Sequence, residues 1–180
     1  MPIPHLALRV SLALAFGAIP LSLPTPARAA SKGDVFFGYS RTGNNTFYPN
    51  VGGLNGWELD GQVRWKRFIG AEADVAHYGL GANAAVPRTT TVLFGPELSL
   101  GTAGYKVFGH FLVGGEHSAN SSGSTPISGG AFAYALGAGA EGPIAPLFAW
   151  RVQVDRISAI NQSPSSGTHA RFSSGIVFRF

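Results

Sequence analysis

The sequence lacks cysteine altogether, so no disulfide can staple its fold. It is also poor in charge: only 12% of its 180 residues are Asp, Glu, Lys or Arg. An ordinary soluble domain carries about 25%. Beyond the first thirty residues there is no unbroken apolar run of the ~20 residues that a transmembrane helix needs. Mean hydropathy is nevertheless positive, at +0.16. A chain too apolar for water, and without helices for a membrane, points to a β-barrel. Removing Arg9 and Arg28 with the N-terminal segment lowers the formal charge from +4 to about +2, too small to imply nucleic acid.

What is present begins with an export signal. A short start carrying Arg9 precedes an apolar run from Val10 to Leu23, followed by Pro24-Thr25-Pro26-Ala27-Arg28-Ala29-Ala30. Small residues at Ala27 and Ala29 make an A-x-A-type cleavage site, and the apolar run is too short to span a bilayer. Residues 1–30 are therefore expected to be a signal peptide cleaved after Ala29 or Ala30. Residues 31–180, about 150 in all, are enough for one domain and hardly two.

Periodicity supplies the positive signal. In Trp57-Glu58-Leu59-Asp60-Gly61-Gln62-Val63-Arg64-Trp65 every even position is polar and every odd one is apolar or glycine. Strand side chains alternate between faces, so this segment has one apolar and one charged face. The pattern recurs in Ala71–Val75, in Trp150–Asp155 and in the final stretch from Arg171. Eight such strands are expected: Asp34–Ser40, Gly56–Lys66, Ile69–Gly79, Arg88–Leu100, Gly104–Glu116, Gly129–Glu141, Leu147–Ile157 and Thr168–Phe180. Long polar connections, at Arg41–Asn55, Leu80–Pro87, His117–Ser128 and Ser158–Gly167, alternate with short ones near Arg67-Phe68, Gly101–Ala103 and Gly142–Pro146. Long loops at one end and short turns at the other are the layout of an all-β, eight-stranded, antiparallel up-and-down transmembrane barrel.

A soluble barrel of this size would be apolar inside and polar outside. Trp57 and Trp65 argue for the reverse: they share one apolar face and lie about 26 Å apart along an extended strand. With tilt that approaches the ~25 Å apolar band flanked by aromatic girdles. Trp57, Trp65, Tyr105 and Trp150 are the expected girdle. The opposite parity holds Glu58, Asp60, Arg64, Glu72, Asp74, Glu97, Lys106, Glu116, Arg151, Asp155 and Arg171, a charge network expected to fill the lumen.

Over its mature length the chain resembles the eight-stranded outer-membrane barrels of the OmpA/OmpX type. It is similar, more specifically, to the small "outer membrane protein beta-barrel domain" proteins common in acidobacteria. The residues that carry the likeness are Leu54-Asn55-Gly56-Trp57-Glu58, Phe94-Gly95-Pro96-Glu97, Phe132–Gly139 and Arg151–Asp155. The most specific is the ending Ser174-Gly175-Ile176-Val177-Phe178-Arg179-Phe180. Phe172, Ile176, Phe178 and Phe180 resemble the signal that the barrel-assembly machinery reads. The resemblance implies a location in the bacterial outer membrane and says little about activity.

The carboxylates Glu58, Asp60, Glu72 and Asp74 could in principle supply a general acid. In a lumen only wide enough for side chains, a plug of ion pairs fits them better. Glu116-His117-Ser118 invites comparison with lipid A deacylases, yet adjacent residues on a strand point to opposite faces, which opposes a triad. Gly137-x-Gly139-x-x-Gly142 matches a dinucleotide fingerprint, but Pro143 and Pro146 stand where a helix must start. His77, His110, His117 and His169 have no metal-ligand spacing. No catalytic residue, cofactor or metal is therefore expected. The leading expectation is a surface-exposed structural or interaction protein with a plugged polar lumen and with Phe47 and Tyr48 as loop contacts. A small channel for ions or solutes is the alternative, and a lipid A-modifying enzyme the third reading. Expected partners are outer-membrane lipid and lipopolysaccharide, the assembly machinery and an external ligand of unknown nature; nucleic acid is not among them, and a monomer is expected.

Overall fold

Alternating polarity and the repeated turn signals produce eight strands: β1 (Gly33–Thr42), β2 (Asn55–Arg64), β3 (Ile69–Tyr78), β4 (Arg88–Thr102), β5 (Tyr105–Asn120), β6 (Ile127–Ala145), β7 (Phe148–Ile160) and β8 (Gly167–Arg179). The computed structural model describes residues 33–43, 53–80, 88–102, 104–120, 127–160 and 167–180. The expected signal peptide, residues 1–30, and the loop residues Phe47 and Tyr48 lie outside them. Each strand pairs antiparallel with its sequence neighbours, and β8 returns to β1, so the sheet closes into a barrel. Closure leaves no edge strand unpaired. At the seam the chain ends are clasped by two backbone bonds, Phe180 N–H to Gly33 O (3.0 Å) and Gly33 N–H to Phe180 O (3.3 Å). Among the described residues no helix is long and apolar enough to cross a membrane.

Connections at the two ends differ as the sequence implies. Residues 65–68 and 146–147 make tight turns at one end, the short-turn end, where Thr102 of β4 also pairs with Tyr105 of β5. Gly104 adopts a φ of 89°, a left-handed conformation that a side chain would strain. Residues 43–54, 79–87, 121–126 and 161–166 connect strands at the other end, the long-loop end.

Several expected boundaries shift: β7 runs to Ile160, into the stretch expected as the loop Ser158–Gly167, and β4 runs to Thr102. The β5–β6 hairpin runs on to Asn120 and resumes at Ile127, so both ends of the stretch expected as the loop His117–Ser128 are paired strand. Residues Ile127–Ala131 of β6 pair with β5 alone among the described residues, so β6 runs past the described end of β7, while β5 stays paired with β4 as far as Ala119. Pro143 does not end β6 as expected. The strand continues to Ala145 through an irregularity between Pro143 and Ala145, which accommodates a residue that cannot donate to the ladder.

The two faces are fully sorted. In β7 the outward residues Phe148, Trp150, Val152 and Val154 are exposed, while Ala149, Arg151, Gln153 and Asp155 are buried. Apolar residues also occur inside, in a layer nearer the long-loop end built from Leu93, Leu112, Ala133, Ala135, Ile157 and Ala159. This layer lines the β4–β7 side of the lumen. Opposite it, Tyr78 and Ala76 pack with Leu54.

Candidate functional site: the filled lumen and the cationic exterior

Strand parity brings the ionisable groups together in layers. At the short-turn end, Lys106 Nζ lies 2.9 Å from Glu141, 3.5 Å from Asp34 and 3.6 Å from Glu97, and donates to Gln62 Oε1 at 2.6 Å. Arg179 reaches Glu141 at 2.8 Å and Arg64 reaches Asp34 at 3.1 Å. One layer further in, Arg151 bridges Glu141 (2.6 Å) and Asp60. Its guanidinium is held between two inward-facing rings, 4.8 Å from the Phe36 centroid and 4.9 Å from that of Phe108. Stacking of this kind supports a desolvated cation where water is absent.

The middle layer is centred on Arg171. Its Nη1 donates to Asp74 (2.9 Å) and its Nε to Asp155 (2.7 Å), with Glu58 at 3.5 Å. Glu58 also accepts from Gln153 Nε2 and Ser173 Oγ, each at 2.5 Å. The ring nitrogens of His110 lie 2.9 Å from Glu72 and 2.7 Å from Asp155. These side chains are wholly buried, so every charge here depends on its neighbours for solvation.

The structure places all eleven expected network residues inward, but it does not join them all. Glu58, Glu72, Asp74, Asp155 and Arg171 form one connected cluster with His110 and Gln153, whereas Asp60 and Arg151 join the short-turn layer through Glu141. Arg64 and Lys106 belong to the short-turn layer, and Arg64 is only half-buried. Glu97 meets only Lys106, without a hydrogen bond among the described residues. Glu116 stands apart beyond the apolar layer, and neither of its oxygens has a hydrogen-bond partner among the described residues. Asp34, Gln62, His110, Glu141, Gln153 and Arg179 complete the lumen and were not expected there. Their inward parity is readable in the sequence: Gln62 and Gln153 sit in charged rows of β2 and β7, whereas Asp34 and His110 have apolar or small inward neighbours and carry little signal.

The remaining expected positions are exterior. Trp65 lies in the turn after β2 and is exposed, as are Tyr105 and Trp150. Trp57 is half-buried, its ring 6.1 Å from His77, which in turn bonds Thr90 (2.9 Å). Phe172, Ile176, Phe178 and Phe180 all face outward, and Phe178 contacts both Phe148 and Phe180 at 5.6 and 6.1 Å. Glu116 and Ser118 are buried inside while His117 is exposed outside, so these three side chains share no face.

One regularity went unread in the sequence. The chain has nine carboxylates, and every one is buried inside the barrel. Arg41, Lys66, Arg67, Arg88 and Arg156 are exposed. The exterior is thus cationic and uncompensated, while the lumen holds more carboxylates than Arg and Lys.

No protein-family model matches the chain, and no curated protein is similar to it in sequence. Solved structures are similar in fold. Neisserial surface protein A (NspA) superposes with a TM-score of 0.66 at 11% identity, covering 85% of this chain and 100% of its own. Ail, the attachment invasion locus protein of Yersinia pestis, solved with the heparin analogue sucrose octasulfate, gives 0.61 at 15% identity over 84% and 100%. The outer membrane protein OprG from Pseudomonas aeruginosa gives 0.58 at 10% identity over 85% and 97%. The fold of this chain is that of the small eight-stranded outer-membrane barrels.

Proposed function

We propose that the protein is a bacterial outer-membrane barrel that anchors surface loops and keeps its lumen closed with side chains. One observation carries this reading: the sorting of faces is the inverse of a soluble barrel's. Phe37, Phe94, Leu98, Val107 and Leu136 are exposed on the outside, whereas the charges are inside. Such a belt in water would be an aggregation hazard, and in a bilayer it is the required surface. Exposed Trp65, Tyr105 and Trp150 fit the aromatic girdle at the short-turn end. The outward row Phe172, Ile176, Phe178 and Phe180 fits a recognition strand for the assembly machinery, because the last strand closes the seam. The reading assigns no catalytic residue and no cofactor, and surface partners would meet the protein at its long-loop end, where the β5–β6 pairing extends to Asn120 and Ile127.

The test is fractionation followed by a gel of boiled and unboiled protein, then conductance in planar bilayers. A heat-dependent mobility shift in the outer-membrane fraction with silent bilayers is the expected result. Protein in the soluble periplasm without a shift would overturn the membrane reading. A channel is the second reading, and the excess of lumen carboxylates favours it in one specific form. If stable openings occur, they should be cation-selective.

A further inference from the structure

We propose that Arg41 and Arg156 grip a phosphate of a phosphorylated outer-leaflet glycolipid on the outer face of β7, β8 and β1. This deepens the partner expectation and rests on the outer-membrane reading. Three observations converge. The first is the charge sorting: no carboxylate of the chain faces outward, so an exposed arginine on the barrel wall meets no compensating side chain.

The second is placement. Arg41 pairs with Phe172 and Arg156 with Ala170, so the two arginines flank β8 from opposite sides. Two inter-strand spacings across and a two-residue offset along β8 separate their backbones by about 12 Å. Each flexible side chain reaches about half that distance, and on the outer face of β8 between them stand Phe172, level with Arg41, and the small Ala170, level with Arg156. Neither arginine has a hydrogen-bond or ion-pair partner among the described residues. Arg156 lies nine residues beyond the turn at 146–147. At ~3.3 Å per residue and a tilt of ~45°, that is about 21 Å of height. Its backbone is therefore just inside the ~25 Å apolar band, and its guanidinium reaches the headgroup level on the long-loop side.

The third is a groove of about 610 Å³ beside Arg156, walled by Leu136, Ala138, Val154, Thr168 and Ala170. Its small residues leave room on a wall otherwise built from large apolar groups. A headgroup phosphate on the arginines would lay an acyl chain into it. Guanidinium binds phosphate through two parallel hydrogen bonds, which suits arginine to this task better than lysine.

The experiment compares wild-type barrel with R41Q/R156Q and, as a control at the opposite end, K66Q/R67Q. Each is purified in mild detergent and titrated by native mass spectrometry with a phosphorylated glycolipid, its dephosphorylated form and phosphatidylglycerol. Wild type and K66Q/R67Q should bind the phosphorylated glycolipid roughly tenfold more tightly than R41Q/R156Q does. They should discriminate to a similar degree against the dephosphorylated form. Unchanged binding by R41Q/R156Q, or indifference to the phosphate, would overturn the site. Equal binding of phosphatidylglycerol would overturn the glycolipid assignment. A heat shift retained by R41Q/R156Q shows that a loss of binding is not a loss of fold. Failure of the membrane reading would show separately, as a wild type that has no heat shift at all.

Discussion

Arg171→Met asks whether the lumen is dry. Methionine keeps much of the volume and removes the charge. In the structure Arg171 is wholly buried, with Asp74 at 2.9 Å, Asp155 at 2.7 Å and Glu58 at 3.5 Å. His110 also contacts Asp155, while Glu58 keeps only the neutral donors Gln153 and Ser173. Breaking a buried pair by removing one partner costs about 3–5 kcal/mol. That corresponds to a fall of about a hundredfold to several thousandfold in the folding constant. Urea titration of the barrel in lipid vesicles, followed by tryptophan fluorescence, gives the free energy by linear extrapolation. Adding Asp74→Asn should recover part of the loss, since one of the stranded carboxylates is then neutral. A loss below about 1 kcal/mol, the range of exposed ion pairs, would refute the reasoning. Water would then screen these charges, and the lumen would be a hydrated path rather than a plug.

Glu116→Leu should leave stability unchanged or raise it in the same titration, because neither carboxylate oxygen has a hydrogen-bond partner among the described residues. A marked loss would mean that Glu116 holds a group above the apolar layer. Gly175→Val should destabilise the barrel by about 1–3 kcal/mol or more. A Cβ at that position would stand 2.4 Å from Gly38 Cα and 2.3 Å from the Phe37 carbonyl oxygen, at the closing seam of β8 on β1. A valine variant with wild-type stability and an unaltered heat shift would refute the tight seam.

The fold was legible because a two-residue period is a strong signal wherever one face carries charge. Glu58, Asp60, Gln62 and Arg64 alternate with apolar residues in β2, and the register follows from that alternation. Less of the lumen was legible where the inward row is mixed. In β1 it runs Asp34, Phe36, Gly38 and Ser40, and in β5 it includes Phe108, His110 and Leu112. An inward phenylalanine looks like a lipid-facing one until its partner is known. Here the partner is Arg151, contributed by β7 to a stack between Phe36 and Phe108. His110 has no ligand-like spacing along the chain, and its two carboxylate contacts come from β3 and β7. Such contacts cross the barrel, and no single strand records them. The extension of β6 through Pro143 was missed for a different reason. Proline normally ends a central strand, and only the local irregularity lets pairing continue.

Confinement of every carboxylate to the lumen links the interior of the barrel to its surface. Inside, nine carboxylates face Arg64, Lys106, Arg151, Arg171, Arg179 and the imidazole of His110. The connected cluster is held by its cations, while Glu97 and Glu116 lack hydrogen bonds among the described residues. Water or cations entering the lumen would therefore be drawn to these two residues before the paired layers opened. Outside, the same sorting leaves Arg41, Arg88 and Arg156 near the long-loop end, and Lys66 and Arg67 in a turn at the other, without an acidic side chain to neutralise them. Arginine at mid-bilayer depth is costly, and near the interface it costs little. A barrel that keeps cations at both rims and anions only in its interior is therefore matched to a solvent whose two surfaces carry phosphate. Lumen and wall are sorted by the same parity of strand residues, so placing a carboxylate on the wall, as in Leu136→Glu, tests the consequence of that sorting for the exterior. Exposed Leu136 borders the groove beside Arg156, and a carboxylate there should pair with that arginine. Bound phosphorylated glycolipid should then fall in native mass spectra, while the ion pairs of the lumen, facing the other way, stay as they are.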